Sequence, residues 1–168
     1  MRLAPVLLSV LVASGCSSQV HIVDEQYRPL EKVAETAIPR GSWLTTVGKT
    51  CYVNDLDEWL ERNPPGSISY HGTLIHEREH TVRQLAYGLS AWIGRYLSDR
   101  AFMWAEEAIA WYIELRYYIQ RGMRIDVEGV ARSLSNYKNA TGSMINYDDA
   151  LRWVQDVVAG RWKPSEED

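Results

Sequence analysis

The sequence predicts an α+β fold that is mainly helical, with a small sheet near its N-terminal end. Two short runs rich in β-branched and aromatic residues come early, and helix-type spacing of apolar residues dominates from residue 73 onward. The length of 168 residues suits one domain with a buried core. Hydrophobic residues make up 46% of the chain and charged residues 24%, a composition that excludes a disordered protein.

The charge balance argues against a nucleic-acid partner. The chain carries 18 Lys and Arg against 22 Asp and Glu, a formal net charge of −4. Binding through phosphate contacts calls for a basic surplus, which this chain lacks. Tyr and Trp are abundant, with ten and seven copies against one Phe. Such rings carry polar edges and suit a wet groove or an interface as well as a core.

Residues 1–15 are predicted to be a signal peptide. Arg2 precedes an almost wholly apolar run, Leu3–Val12, which is too short to span a bilayer but has the length of a signal-peptide core. The segment resembles a bacterial lipoprotein signal, in which Cys16 becomes the acylated first residue. It departs from that pattern at Ala13, where Leu or Val is usual. An ordinary secretory signal cut at the same bond and a buried N-terminal helix are the alternatives.

We therefore expect export to the bacterial cell envelope, with a lipid on Cys16 as the membrane anchor, or else a periplasmic or secreted protein. Residues 16–29 are then a tether, and residues 30–168 form the folded domain. Cys51 is the only other cysteine of the sequence. We expect it to be a small buried hydrophobic residue in a strand, and a Cys16–Cys51 disulfide is the alternative if no lipid is attached.

The first part of the predicted domain contains the sheet. A short helix is predicted around Leu30–Thr36, followed by two strands, 43–47 and Thr50–Val53, joined by a glycine-containing turn. A capped helix then runs to about Arg62, before a Pro-Pro-Gly break. Ser67–His71 is predicted as a short edge strand. Its part Ser67–Tyr70 is expected to bind an extended peptide by strand addition, with a plain loop as the alternative.

From Thr73 the pattern is helical. Gly88 marks a break before a second piece, Ser90–Leu97. The predicted apolar face of the first piece consists of Leu74, Ile75, Val82, Leu85, Ala86 and Leu89. Three further helices are predicted from capping residues and terminal glycines: Arg100–Arg121 after Ser98 or Asp99, a helix capped by Asp126 to about Ser135, and Asp148–Ala159, opened by Asn146 or Asp148.

His76, Glu77 and His80 form an H-E-x-x-H motif inside this helical pattern. Residues four apart lie one turn apart on the same face, so the two His can offer imidazole nitrogens to one Zn²⁺. Glu77 lies beside that pair and can take a proton from the attacking water. The alternative is a charge-rich helix surface on which all of these side chains are solvated.

A catalytic zinc ion needs a third protein ligand. No His follows His80, so a carboxylate on a later helix is required, and Glu106 and Glu107 are the candidates. On a helical wheel Glu106 falls on the apolar side, whereas Glu107 falls on the charged side with Glu114. A buried ligand favours the apolar side, but a site that lines a wet cleft permits the charged side. Glu114 is either a neighbour of the ligands or a surface charge.

With the H-E-x-x-H motif and Glu107 followed by Ala108, the chain resembles the gluzincins, the thermolysin-like zinc peptidases. The resemblance covers Thr73–Trp111. It implies a minimal zincin-like domain with a small N-terminal sheet, an active-site helix, a bound Zn²⁺ and Glu107 as the third ligand. The motif segment is also similar to the core of small bacterial and phage zincin-like proteins.

The predicted function is that of an exported zinc-dependent metallopeptidase that hydrolyses a peptide or protein substrate. His76, His80 and Glu107 hold the Zn²⁺, and Glu77 activates water and passes its proton to the leaving amine. A further donor is needed to stabilise the oxyanion. The candidates for that donor are Tyr70, His71, Arg83, Tyr112 and Tyr118.

Two other readings of the sequence stay open. The first is a zincin-like envelope lipoprotein whose zinc site is structural or inactive and which acts as a binding or interaction module. The many Trp and Tyr residues favour it if they are exposed. The second is a helical envelope protein without a metal, which predicts that a chelator leaves its melting temperature unchanged.

Overall fold

The computed structural model describes residues 8–10, 20–24, 44–53 and 56–165, and for the first two segments it describes the backbone alone. The chain divides into two compact units, Met1–Leu89 and Ser90–Asp168. The described residues form an α+β fold that is mainly helical, with six helices and short strands, as the sequence predicts. Cys16 and the predicted helix Leu30–Thr36 lie outside the described residues.

The sheet of the first unit has four strands in the order β1-β2-β4-β3. They are β1 (Leu8–Val10), β2 (Val20–Asp24), β3 (Leu44–Val47) and β4 (Thr50–Val53). The two predicted strands and the turn between them are confirmed in β3 and β4, which pair antiparallel with Val47 opposite Thr50. Gly48 takes a positive φ of 62° in that turn, which favours glycine. The strands β1 and β2 come from the predicted leader and tether, and β2 runs parallel to β4.

Two helices complete the first unit, α1 (Leu56–Arg62) and α2 (Ile68–Tyr87). The predicted edge strand at Ser67–His71 is wrong, because these residues begin α2. The Ser67 side chain caps the helix by accepting a hydrogen bond of 3.1 Å from the backbone N–H of Tyr70. This cap directly follows the Pro-Pro-Gly turn, so no length of chain remains for a strand.

The predicted apolar face of α2 is also wrong in part. Leu74 is buried, but Val82 and Leu85 are about half exposed. The buried side of α2 is instead rich in polar residues: His76, Glu77, His80, Thr81 and Gln84. Only the N-terminal part of α2 contributes to the apolar core of the first unit, which consists of Cys51, Val53, Trp59, Tyr70 and Leu74. The remainder of the buried face is therefore left for polar contacts.

The second unit contains four helices and a small hairpin. Its helices are α3 (Leu89–Ser98), α4 (Arg100–Gln120), α5 (Val127–Asn136) and α6 (Tyr147–Val158). Asp99, Asp126 and Asn146 cap α4, α5 and α6 through their side chains. These helices confirm the predicted ones to within a few residues. The hairpin of β5 (Lys138–Asn139) and β6 (Gly142–Ser143), by contrast, was not predicted.

The core of the second unit is formed mainly by α4, α5 and α6. Its buried members are Met103, Ala108, Leu115, Ala131, Leu134, Met144, Ala150, Trp153, Val154 and Val157. Half-buried aromatic residues pack around it, including Trp104 and Trp162, which both make edge-on contacts with Trp153. Among the described residues, no helix combines the length and the apolar character needed to cross a bilayer.

Candidate metal centre

The H-E-x-x-H motif lies in the middle of α2, on twenty consecutive helical residues. His76 and His80 are one turn apart, and each exposes only 5% of its surface. Their Nε2 atoms are 3.1 Å apart, and the ring centroids are separated by 4.9 Å. The two imidazoles therefore present the same nitrogen to one point beside the helix.

This separation suits a pair of zinc ligands. Two nitrogens that each lie about 2.0–2.1 Å from one tetrahedral zinc ion are themselves about 3.3 Å apart. The observed 3.1 Å between the Nε2 atoms of His76 and His80 is close to that value. A helix fixes both rings on one rigid element, so little conformational entropy would be lost on binding.

Glu77 is buried next to this pair, with 5% of its surface exposed. Its Oε2 atom has no hydrogen-bond partner among the residues that the structure describes. The pKa of the Cys51 thiol in β4 is raised, mainly because that thiol is buried. The nearby Glu77 carboxylate raises the same pKa further, so its negative charge affects the sheet. A buried carboxylate oxygen without a partner is costly, so its position calls for a functional explanation.

The two candidate carboxylates for the third ligand are neighbours on α4, and both are buried. The helical wheel placed Glu107 and Glu114 on a charged face, but the structure buries these two residues as well as Glu106. Glu106 accepts a hydrogen bond of 2.8 Å from the indole Nε1 of Trp92. Glu107 accepts one at Oε1 from the hydroxyl of Tyr96. The two carboxylates thus have different partners on α3.

His76, His80 and Glu107 are buried residues that together could hold a metal ion. Two imidazoles and a carboxylate are a donor set found in catalytic zinc sites. Glu106 is not part of this group. The chemistry of the three donors fits a divalent cation that prefers nitrogen and oxygen ligands.

Three of the predicted oxyanion donors lie on α2 and differ in their burial and contacts: Tyr70, His71 and Arg83. Tyr70 is buried with its ring 5.4 Å from that of Trp59, and burial raises the pKa of its hydroxyl. His71 is half-buried, and its ring meets the edge of Tyr70 at 5.6 Å. Arg83 is also half-buried on this helix. Tyr70 belongs to the core of the first unit, which explains its position without a catalytic role.

The remaining two candidates, Tyr112 and Tyr118, lie on α4. Tyr118 donates a hydrogen bond of 2.7 Å to Oε1 of Glu114, one turn away on the same helix. Tyr112 packs against Trp162 with ring centroids 5.4 Å apart. Sequence reasoning missed Tyr96, although its spacing of four from Trp92 indicates one shared helix face. The contact with Glu107 depends on how α3 packs against α4, which that spacing does not reveal.

No family model, curated protein or solved structure matches the chain.

Proposed function

We propose that the chain is an exported zinc-dependent metallopeptidase of the gluzincin type, with a minimal zincin-like domain. His76, His80 and Glu107 hold Zn²⁺, and Glu77 is the general base. The observation that carries this proposal is the pair of buried imidazoles, with Nε2 atoms 3.1 Å apart on one helix and a buried Glu between them in sequence. Gluzincins share this combination of motif and downstream Glu.

In the proposed hydrolysis the bound metal and Glu77 have different roles. A bound Zn²⁺ supplies a Lewis acid that polarises the scissile carbonyl and lowers the pKa of water. Glu77 accepts the proton of the attacking water and passes it to the leaving amine. Its buried Oε2, which has no hydrogen-bond partner among the described residues, supports this role because an acceptor position is available there.

The substrate class follows from this chemistry and from the leader. A polarised carbonyl and a general base suit the hydrolysis of peptide bonds, so the substrate is a peptide or an envelope protein. The apolar run that ends before Cys16 supports export, with a lipid on that cysteine as the anchor to the cell envelope. The net charge of −4 gives no support to a nucleic-acid partner.

The alternative of an inactive zincin-like binding module draws on the many aromatic residues. Such a module needs exposed aromatic side chains as anchors for a partner. Among the described residues, Tyr87 is the only aromatic residue with a largely exposed side chain, and the Trp residues are buried or half-buried. Active hydrolysis is therefore the better supported proposal.

The test compares the purified full-length protein with three variants, by zinc content and by cleavage of a peptide library. We expect about one zinc ion per chain in the wild type and a loss of that zinc in His76→Ala. Glu77→Gln should keep the zinc but lose about 10²–10⁴-fold in cleavage rate, as expected for a general base. Glu79→Gln, on the same helix but outside the metal-binding group, is the matched control and should keep both.

Two outcomes would count against the proposal. A wild-type protein without stoichiometric zinc would remove the metal site. Zinc binding combined with equal inactivity of the wild type and Glu77→Gln would reject the peptidase and favour the binding module.

A further inference from the structure

Tyr96 on α3 makes a contact that the proposed chemistry does not require. Its hydroxyl donates a hydrogen bond of 2.5 Å to Oε1 of Glu107, eleven residues along the chain. The acceptor is buried, and the phenol ring is half-buried. A hydrogen bond to an ionised acceptor is stronger than one between neutral groups, so this contact can fix the orientation of the carboxylate.

Tyr96 is itself held on two sides. Its ring stacks on that of Trp92, with centroids 4.5 Å apart and planes at 18°. Its backbone carbonyl accepts a hydrogen bond of 3.0 Å from the side-chain amide of Asn139 in the β5–β6 hairpin. The next carbonyl, that of Leu97, accepts one of 3.0 Å from the backbone N–H of Ala140. The hydroxyl is therefore presented to Glu107 by a residue whose ring and backbone are both constrained.

One face of α3 gives each of the two neighbouring carboxylates of α4 its own hydrogen-bond donor. Trp92 donates its indole N–H to Glu106, and Tyr96 donates its hydroxyl to Glu107. Trp92 and Tyr96 are one turn apart, so one helix face supplies both donors. Glu106 therefore accepts a hydrogen bond from the indole of Trp92, whereas Oε1 of Glu107 accepts one from the hydroxyl of Tyr96.

We propose that Tyr96 is a positioning residue for the metal site, which commits Glu107 to bind the metal through a single oxygen. This inference rests on the proposed function, because it needs Glu107 as a ligand. The partners that hold metal-binding carboxylates contribute about 10–100-fold to metal affinity. Tyr96 acts through Glu107. Its hydrogen bond holds the Glu107 carboxylate in the metal-binding orientation before the ion binds, and this stabilises the metal-bound state.

The test is the Tyr96→Phe variant of the full chain, which keeps the ring and its stacking on Trp92. Zinc affinity is measured by competition with a chromophoric chelator, and the site geometry by the absorption spectrum of the cobalt-substituted protein. We expect zinc binding about 10–100-fold weaker than in the wild type, together with a changed cobalt spectrum. Tyr147→Phe, a half-buried tyrosine on α6, is the matched control and should change neither.

A double-mutant cycle separates positioning from a general structural role. In a Glu107→Ala background, Tyr96→Phe should cause no further loss of zinc affinity, because its target is gone. Loss of the Tyr96 hydroxyl should lower the melting temperature of the metal-free protein when Glu107 is present, because a buried carboxylate loses a partner. An equal loss of zinc affinity in both backgrounds would show that the effect does not act through Glu107, and it would overturn the proposal.

Zinc binding by the wild type distinguishes the loss of the Tyr96 role from the loss of the metal site itself. If the wild type binds stoichiometric zinc and Tyr96→Phe binds it with unchanged affinity, only the positioning role is rejected. If the wild type itself binds no zinc, both proposals fail together.

Discussion

Asp99 shows how one side chain organises the start of a long helix. Its Oδ1 atom accepts hydrogen bonds from the backbone N–H groups of Ala101 and Phe102, at 3.0 and 3.1 Å. The bond from Phe102, together with the nearby Arg95, holds the pKa of the Asp99 carboxyl below its ordinary value of 3.8. The charged form is therefore the one that stabilises α4.

We expect Asp99→Ala to lower the melting temperature at neutral pH by an amount that disappears in acid. Because the pKa of Asp99 is lower in the folded state than in the unfolded state, its contribution is present above the ordinary value of 3.8 and is lost as the pH falls through the folded pKa. Thermal unfolding of the wild type and the variant from pH 7 to about pH 2 measures this.

The matched control for this prediction is Asp99→Asn, which keeps a capping acceptor without the ionisable group. Its difference from Asp99→Ala should not depend on pH between these limits. A constant difference between the wild type and Asp99→Ala at every pH would contradict the prediction.

At the scale of elements, Gln84 connects the helix α2 to the hairpin of β3 and β4. Its side-chain amide donates a hydrogen bond of 2.9 Å to the carbonyl of Thr46 and accepts one of 2.7 Å from the N–H of Gly48. The side chain is almost fully buried, with 1% exposed. Because β3 is the outer strand of the sheet, this contact also covers part of its edge.

Gln84→Ala should destabilise the protein by about 2–4 kcal/mol, because two buried backbone groups lose their partner. The measurement is the free energy of unfolding in urea. Gln155→Ala, at an exposed position of α6, is the matched control and should stay within about 0.5 kcal/mol of the wild type. A change of equally small size for Gln84→Ala would show that water replaces its two hydrogen bonds.

The helix caps and the reversed face of α2 show what the sequence can and cannot predict about elements. Asp99, Asp126 and Asn146 were among the predicted caps, because capping depends on the residue and the three that follow it. The buried face of α2 was not predictable from hydrophobic periodicity, since that method assumes that buried positions are apolar. Gln84 is buried because its side chain forms hydrogen bonds with Gly48 and Thr46, which lie 36 and 38 residues away in the sequence.

At the scale of the whole molecule, predictability depends on how local each feature is. The His76–His80 pair needs only one helical turn, so the motif and its spacing predict that the two imidazoles lie side by side. Tyr96 and Glu107 meet through the packing of two helices, and no local pattern encodes that packing. The β5–β6 hairpin has strands of two residues, which are too short to show an alternation of apolar and polar positions.

Metal binding couples the site to the stability of the whole chain. A ligand that binds only the folded state at about 100 times its Kd stabilises that state by about 2.7 kcal/mol. For a chain of this size we expect a chelator to lower the melting temperature of the zinc-loaded wild type by about 5–10 °C. His76→Ala should melt at the same temperature with and without the chelator. An unchanged wild-type melting temperature would favour the reading without a metal.

The Cys51 thiol can be used to measure how often the sheet of the first unit opens. The thiol is fully buried in β4, lies 3.0 Å from the hydroxyl of Thr46 and has a raised pKa. Only the thiolate reacts with alkylating reagents. The folded sheet therefore protects this sulfur in two ways, because it keeps the reagent away and because the raised pKa keeps the thiol protonated. Once Cys16 is replaced by Ser, the alkylation rate records how often the sheet opens, without any probe having to be introduced.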